Sequence, residues 1–222
     1  MLININTILY TKSILIFFLS LGFSTFAQEV AVLKYNGGGD WYANPTAIPN
    51  LIEFSNKNIK TFISKNPTRV SAGSSDIFNF PIIFMTGHGN VFFTDQEANN
   101  LRQYLISGGF LHISDNYGLD KYIRPQLRKV FPKLELQEIP FTHPIFNQTF
   151  TFEKGIPKIH EHDKKMPQGF GLFFEGRLVC FYDYESDLSD GWEDPEVHKN
   201  PPETRLKALQ MGSNIIEYAF KN

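Results

Sequence analysis

Residues 101–116, LRQYLISGGFLHISDN, combine the end of a helix with a buried strand. Thr94-Asp95-Gln96-Glu97 precedes them and matches a capping box, in which the Thr and Glu side chains accept hydrogen bonds from N–H groups at a helix start. Gly108-Gly109 then ends the helix, because glycine tolerates the left-handed turn found there. The segment predicts a helix followed directly by a strand, whose end carries three polar residues, Ser114, Asp115 and Asn116.

Strand and helix patterns alternate on both sides of this segment. Residues 81–85, Pro-Ile-Ile-Phe-Met, form an unbroken apolar run, which is typical of a central strand covered on both faces. Residues 30–35 resemble a first strand, and residues 120–131 a further helix. The alternation predicts an α/β domain with a mostly parallel sheet. A β-hairpin (169–174 and 177–182) and a final helix (203–220) are expected near the C-terminus.

The first 27 residues are predicted to be a signal peptide. Lys12 is followed by the mostly apolar residues 13–26, and Thr25-Phe26-Ala27 offers a cleavage site before Gln28. An uncleaved membrane anchor is the alternative, although the apolar stretch is shorter than the ~20 residues that span a bilayer. We expect residues 28–222 to form one domain that is periplasmic or extracellular, with no transmembrane helix in the mature chain.

Composition argues against two classes of chemistry. The formal net charge is −2 and the chain has no long basic run, so nucleic acid is not an expected partner. The single cysteine, Cys180, lies inside an apolar run, which excludes an intramolecular disulfide and predicts a buried, inert thiol.

Residues 101–111 resemble the helix, glycine pair and strand that precede the nucleophile elbow of class I glutamine amidotransferases. Later motifs are similar to the trehalose-utilisation (ThuA-like) branch of that superfamily, and the similarity is greatest to the DUF4159 family, over nearly all of the mature chain. These motifs are His143-Pro144-Ile145, His160-Glu161, Gly176-Arg177-Leu178-Val179, Tyr182 and Trp192. The resemblance implies a flavodoxin-like, doubly wound sheet with helices on both faces.

The resemblance also bears on activity. Asp115 occupies the place of the elbow cysteine, so we expect no glutaminase activity. Ser114 stands where the DUF4159 family has the first residue of an acidic pair, so this chain lacks a strict two-carboxylate arrangement.

Ligands of open α/β sheets bind beyond the carboxyl ends of the strands. Two glycine-rich turns, 37–40 and 87–90, and the loop 115–118 are predicted to lie there. We take Asp115 and His88 as candidate catalytic residues. The candidate ligand-binding residues are Gly38, Gly39, Gly87, Gly89, Ser114 and Asn116. The alternatives are that the glycines only form tight turns, that Asp115 caps a helix and that His88 is a plain turn residue.

A divalent metal is a further candidate. In an extended segment His160 and His162 point the same way, and Asp163, Asp115 or His88 could complete the ligand set. The default interpretation is a solvated polar loop. The acidic residues between 183 and 196 lack the glycine position of an EF-hand and are also interpreted as a solvated loop. A Ser114 triad is a weaker alternative, since no G-x-S-x-G motif is present. A Cys180 nucleophile is weaker still, because its bulky apolar neighbours disfavour the thiolate.

Three functions follow as hypotheses. The first is binding or hydrolysis of a small polar ligand, for which the resemblance suggests a sugar derivative. The second is a non-catalytic binding or scaffold module with a protein partner in a cell-envelope complex. The third is a structural metal-binding domain.

Overall fold

The computed structural model describes residues 27–222, which contain one seven-stranded sheet. The predicted signal peptide lies outside the described residues except for Ala27. The strands are β1 (Ala31–Lys34), β2 (Thr68–Ser71), β3 (Ile82–Met85), β4 (Phe110–Ser114), β5 (Gln137–Glu138), β6 (Gln168–Phe174) and β7 (Arg177–Tyr184). Their order is β2-β1-β3-β4-β7-β6-β5. The first five in this order are parallel, while β6 is antiparallel to both of its neighbours.

Helices cover both faces of the sheet. They are α1 (Ala47–Asn58), α2 (Asp95–Ile106), α3 (Asp120–Val130), α4 (Pro195–His198) and α5 (Pro202–Lys221), with short 3-10 helices at Ser75–Asn79, Pro144–Phe146 and Leu188–Gly191. One core layer joins the sheet to α2 and α3, and the other joins it to α1 and α5. The predicted α/β class and mostly parallel sheet are confirmed, and the strand order is consistent with a flavodoxin-like fold.

The unbroken apolar run of β3 serves both layers, because successive side chains of a strand point to opposite faces. Ile83 and Met85 pack in the layer of α2 and α3. Ile82 and Phe84 pack in the layer of α1 and α5. All four side chains are buried, as the sequence predicted for a central strand.

The C-terminal hairpin is formed by β6 and β7, which turn at Glu175 and Gly176. It is part of the main sheet, because β7 pairs with β4 in parallel. As a result, the loops that follow β4 and β7 leave the sheet side by side. No helix within residues 27–222 has the length and apolar character needed to cross a membrane.

The capping box at the start of α2 is present as predicted. Thr94 Oγ1 accepts a hydrogen bond from the Glu97 N–H, and the Thr94 N–H donates to Glu97 Oε2 at 2.7 Å. Thr94→Ala removes one of these bonds and should destabilise the protein by about 1 kcal/mol, measured by urea unfolding. Thr142→Ala, at an exposed loop position, is the control. Equal effects of the two substitutions would contradict a capping role.

Candidate functional site

A pocket of about 310 Å³ opens at the carboxyl ends of β4 and β7. Asp115 and Glu185, which directly follow these two strands, lie in its wall. The rest of the wall is rich in charged and aromatic groups and includes Tyr117, Lys121, His162, Lys165, Tyr184 and Asp187. The pocket therefore lies where ligands of open α/β sheets bind.

Beneath the pocket, β4 and β7 share a buried polar pair. His112 Nε2 lies 2.8 Å from Asp183 Oδ2, and both side chains are almost completely buried. Asp183 Oδ1 accepts hydrogen bonds from Ser114 Oγ at 3.3 Å and from the Asp115 N–H at 3.1 Å. Burial lowers the pKa of His112 to about 3 and raises the pKa of Asp183 well above its usual value. This pair fixes the backbone from which the Asp115 side chain projects.

Asp115 is buried, with 6% of its surface exposed. Its Oδ2 accepts a hydrogen bond from the Glu185 N–H at 3.1 Å, whereas Oδ1 has no hydrogen-bond partner among residues 27–222. Burial raises the pKa of Asp115 to about 7, and the negative charge of Asp183 acts in the same direction. Near neutral pH both protonation states of Asp115 are therefore populated.

The helix-cap interpretation of Asp115 does not fit its contacts. Leu119 occupies the N-cap position of α3, where no side-chain capping bond is formed. The Asp115 carboxylate instead receives the N–H of Glu185, in the loop after β7. Asp115 thus joins two loops at the pocket wall.

The loop after β7 holds two non-glycine residues in the left-handed region, Glu185 (φ 58°) and Asp187 (φ 54°). Such conformations cost free energy and cluster at functional sites. Between them, Ser186 donates a hydrogen bond from Oγ to the Pro157 carbonyl at 2.6 Å and accepts one from the Ile159 N–H at 2.9 Å. These bonds hold the segment that carries His160 and His162 against the loop.

The structure brings His160 and His162 to this loop. His160 Nδ1 lies 2.9 Å from Asp190 Oδ2, and His162 Nε2 lies 2.5 Å from Asp187 Oδ2. Asp163, the carboxylate predicted to accompany them, lies in the pocket wall and pairs with Lys165 at 3.3 Å. The carboxylates that approach the two imidazoles are therefore those of Asp187 and Asp190.

The acidic segment after residue 183 is buried, so its interpretation as a solvated loop was wrong. Asp183, Asp187 and Asp190 are each at most 9% exposed. Burial raises the pKa of Asp187 to about 8, helped by the negative charge of Asp190. The hydrogen bond to Asp190 raises the pKa of His160. Glu193 has a structural role, since its Oε1 accepts the N–H groups of Thr46 and Ala47 at the start of α1.

The two glycine-rich turns pack against each other, and their glycines lie outside the pocket wall. The Gly39 N–H donates to the Asn90 carbonyl at 2.9 Å. A Cβ on Gly39 would lie 2.7 Å from the His88 carbonyl, and one on Gly87 would lie 2.1 Å from the Tyr35 hydroxyl. Glycine at these two positions is explained by close packing. Gly38 and Gly89 have positive φ and open space around them.

Of the other predicted residues, His88 is half-exposed and pairs through Nδ1 with Asp40 Oδ2 at 3.0 Å, outside the pocket wall. Asn116 is buried outside the pocket wall, where its Oδ1 accepts a hydrogen bond from Thr86 Oγ1 at 3.3 Å.

The two alternative nucleophiles are both enclosed. Ser114 Oγ donates to Asp183 and accepts from the Ser189 N–H at 3.0 Å. Cys180 is completely buried, and burial raises the pKa of its thiol. The prediction of a buried thiol is confirmed, and neither side chain is available for attack on a ligand in the pocket.

Sequence reasoning overlooked part of this site. His112 and Asp183 carried a signal, because each is an ionisable residue in an otherwise apolar strand and such groups are buried in pairs. Asp187 and Asp190 were assigned to a solvated loop, and His198 was not singled out.

Comparison with known proteins gives one match. The family model described as Domain of unknown function (DUF4159) matches residues 29–220. No curated protein matches the chain.

Proposed function

The chain belongs to the DUF4159 family, and we propose that its pocket beside Asp115 binds a small polar ligand and exchanges a proton with it. The observation that carries this proposal is the Asp115 carboxyl group. Its Oδ1 is buried in a pocket wall without a hydrogen-bond partner in the described part of the chain. A buried oxygen in this state costs free energy, which a ligand hydroxyl or amine would recover.

The other pocket residues fit the same type of ligand. A volume of about 310 Å³ is at the lower end of the range of small-molecule sites. Lys121 and Lys165 offer donors. Tyr117, 56% exposed, presents an aromatic face beside these charges. A ligand with several hydroxyl groups and one apolar face would use all of these features.

Acid–base catalysis is the reaction class that Asp115 supports. A general acid or base works best when its pKa is near the operating pH, and the pKa of Asp115 is about 7. The chemistry we propose is hydrolysis of the bound ligand, with Asp115 moving the proton.

We extend the proposal to the finer classification. Asp115 directly follows β4, at the place of the elbow cysteine in class I glutamine amidotransferases, and the strand order is consistent with their flavodoxin-like architecture. Membership in the ThuA-like branch of that superfamily and a sugar-derived ligand are parts of this proposal. So is export, directed by residues 1–27, to the periplasm or the cell exterior.

A scaffold module is the second candidate, and one feature favours it. At the other end of the sheet an apolar groove of about 400 Å³ is lined by side chains that include Ile106, Phe131, Leu134 and Phe174. A protein partner in an envelope complex would bind such a surface without using Asp115.

The test measures ligand binding to the mature chain by calorimetry. The ligands are a neutral, an acidic and a basic sugar: glucose, gluconate and glucosamine. Mass spectrometry of untagged protein purified from its native host would identify any retained ligand. We expect at least one of these sugars to bind, and Asp115→Asn to weaken that binding at least about tenfold, the effect of losing 1.4 kcal/mol.

Asp76→Asn is the matched control, because Asp76 is an exposed aspartate outside the pocket. It should bind the sugar as the wild type does. Binding that is unchanged in Asp115→Asn, or no binding of any of the three sugars together with no retained ligand, contradicts the proposal and favours the scaffold.

A further inference from the structure

Two histidines and an aspartate converge at the wall of the pocket. One ring nitrogen of His160, one of His162 and a carboxylate oxygen of Asp187 all lie within 4.8 Å of one another. His160 also belongs to a second group, with Asp190 and His198. Imidazole nitrogens and carboxylate oxygens are the ligands of catalytic zinc and related divalent ions.

In the first group, one carboxylate oxygen of Asp187 lacks a hydrogen bond from any described residue. Its side chain is 2% exposed, and Oδ2 has no hydrogen-bond partner in residues 27–222. Yet this oxygen lies 2.5 Å from His162 Nε2. The two atoms approach closely without the geometry of a hydrogen bond, so this contact leaves the buried oxygen unsatisfied. The left-handed backbone of Asp187 maintains this arrangement at a cost in free energy.

The second group, in contrast, is satisfied internally. Asp190 Oδ1 accepts a hydrogen bond from Asn44 Nδ2 at 2.6 Å, and Oδ2 pairs with His160 Nδ1 at 2.9 Å. A carboxylate bonded to the ring of a metal-ligating histidine fixes its tautomer and orientation. Asp190 therefore has the contacts of an orienting residue.

Local charge also favours a cation. Burial, together with the nearby carboxyls of Asp190, Asp183 and Asp115, disfavours the ionised form of Asp187. Two nearby lysines pair with Glu185, Lys158 at 3.1 Å and Lys165 at 3.6 Å. A divalent ion between the histidines and Asp187 would stabilise the ionised form of this carboxylate.

We propose that His160, His162 and Asp187 bind one divalent transition-metal ion, with zinc as the representative ion, and that Asp190 orients His160. His160 Nε2 would exchange its present hydrogen bond to Asn200 Oδ1, at 3.1 Å, for a bond to the metal, while Nδ1 keeps its bond to Asp190. Since His162 and Asp187 line the pocket, the remaining coordination position faces a bound ligand. Metal binding is independent of the proposed sugar binding, so the two can fail separately.

The test uses the mature chain, stripped with EDTA and titrated calorimetrically with Zn²⁺, and with Mg²⁺ and Ca²⁺ as hard-ion comparisons. We expect one Zn²⁺ per chain and no comparable binding of the hard ions, which prefer all-oxygen sites. His162→Gln and Asp187→Asn should each weaken Zn²⁺ binding at least about tenfold, and Asp190→Asn should weaken it less than either.

His88→Gln is the matched control, because His88 pairs with an aspartate at the same edge of the sheet but outside the pocket wall. It should bind Zn²⁺ as the wild type does. X-ray absorption at the zinc edge of the wild type should show two imidazole ligands together with oxygen, a readout that does not depend on the variants folding. Absence of Zn²⁺ binding contradicts the site. If Asp190→Asn and His198→Gln lose more Zn²⁺ affinity than His162→Gln and Asp187→Asn do, the ligand assignment is wrong.

Discussion

Asp183→Ala is expected to destabilise the folded protein by about 3–5 kcal/mol, because it leaves several buried polar groups unpaired at roughly 1–3 kcal/mol each. Alanine leaves three buried groups without their hydrogen-bond partner: the His112 ring, the Ser114 hydroxyl and the Asp115 N–H. The loss should appear in urea unfolding as a lower midpoint with an unchanged slope.

Asp76→Ala is the control for this prediction, because it removes an exposed carboxylate outside the buried layers. Its effect should be within about 0.5 kcal/mol of zero, as for most surface substitutions. If Asp183→Ala costs less than about 1 kcal/mol, close to a single neutral hydrogen bond, the pair does not hold β4 to β7.

Asp115→Asn should have the opposite effect at alkaline pH and stabilise the protein. The pKa of Asp115 is raised from 3.8 to about 7 in the folded state, so folding favours the protonated carboxyl. Its contribution to stability is fully present below pH 4 and is lost as the pH rises through 7. The shift of about 3 pH units corresponds to about 4 kcal/mol. Asparagine cannot ionise, so the variant should gain up to this amount over the wild type between pH 4 and pH 8.

Unfolding free energies of the two proteins at pH 4, 6 and 8 test this prediction. Asp183 and Asp187 contribute to both curves, so the difference between the curves mainly reports Asp115. Asp76→Asn should differ from the wild type by the same amount at every pH. A constant difference for Asp115→Asn as well would mean that its carboxyl has an ordinary pKa. Stability gained together with lost ligand binding is the pattern expected of a functional residue.

Local patterns were sufficient to predict much of the fold. The capping box of Thr94 and Glu97 marked the start of α2, and the apolar run of residues 82–85 marked a strand buried on both faces. Each signal depends on neighbours within a few residues. The hairpin of β6 and β7 was predicted in the same way, from its turn at Glu175 and Gly176.

The partners across the sheet could not be predicted in this way. His112 and Asp183 are 71 positions apart, and they meet only because β7 inserts beside β4. The same insertion brings the loop with Asp187 to the histidines of residues 160–162. The sequence predicted that glycine turns would lie beside Asp115. Those turns instead pack on each other, so closely that Gly39 and Gly87 have no room for a Cβ.

Asp115 is proposed to be the proton-exchanging group of an open pocket, and carboxyl carbon NMR of ¹³C-labelled protein measures its titration directly. The Asp115 resonance can be assigned by its loss in Asp115→Asn. We predict a titration midpoint near pH 7, as the buried position of the carboxyl requires, and a change in that midpoint when a pocket ligand binds. A midpoint near pH 4, unaffected by any ligand, would contradict this role of Asp115.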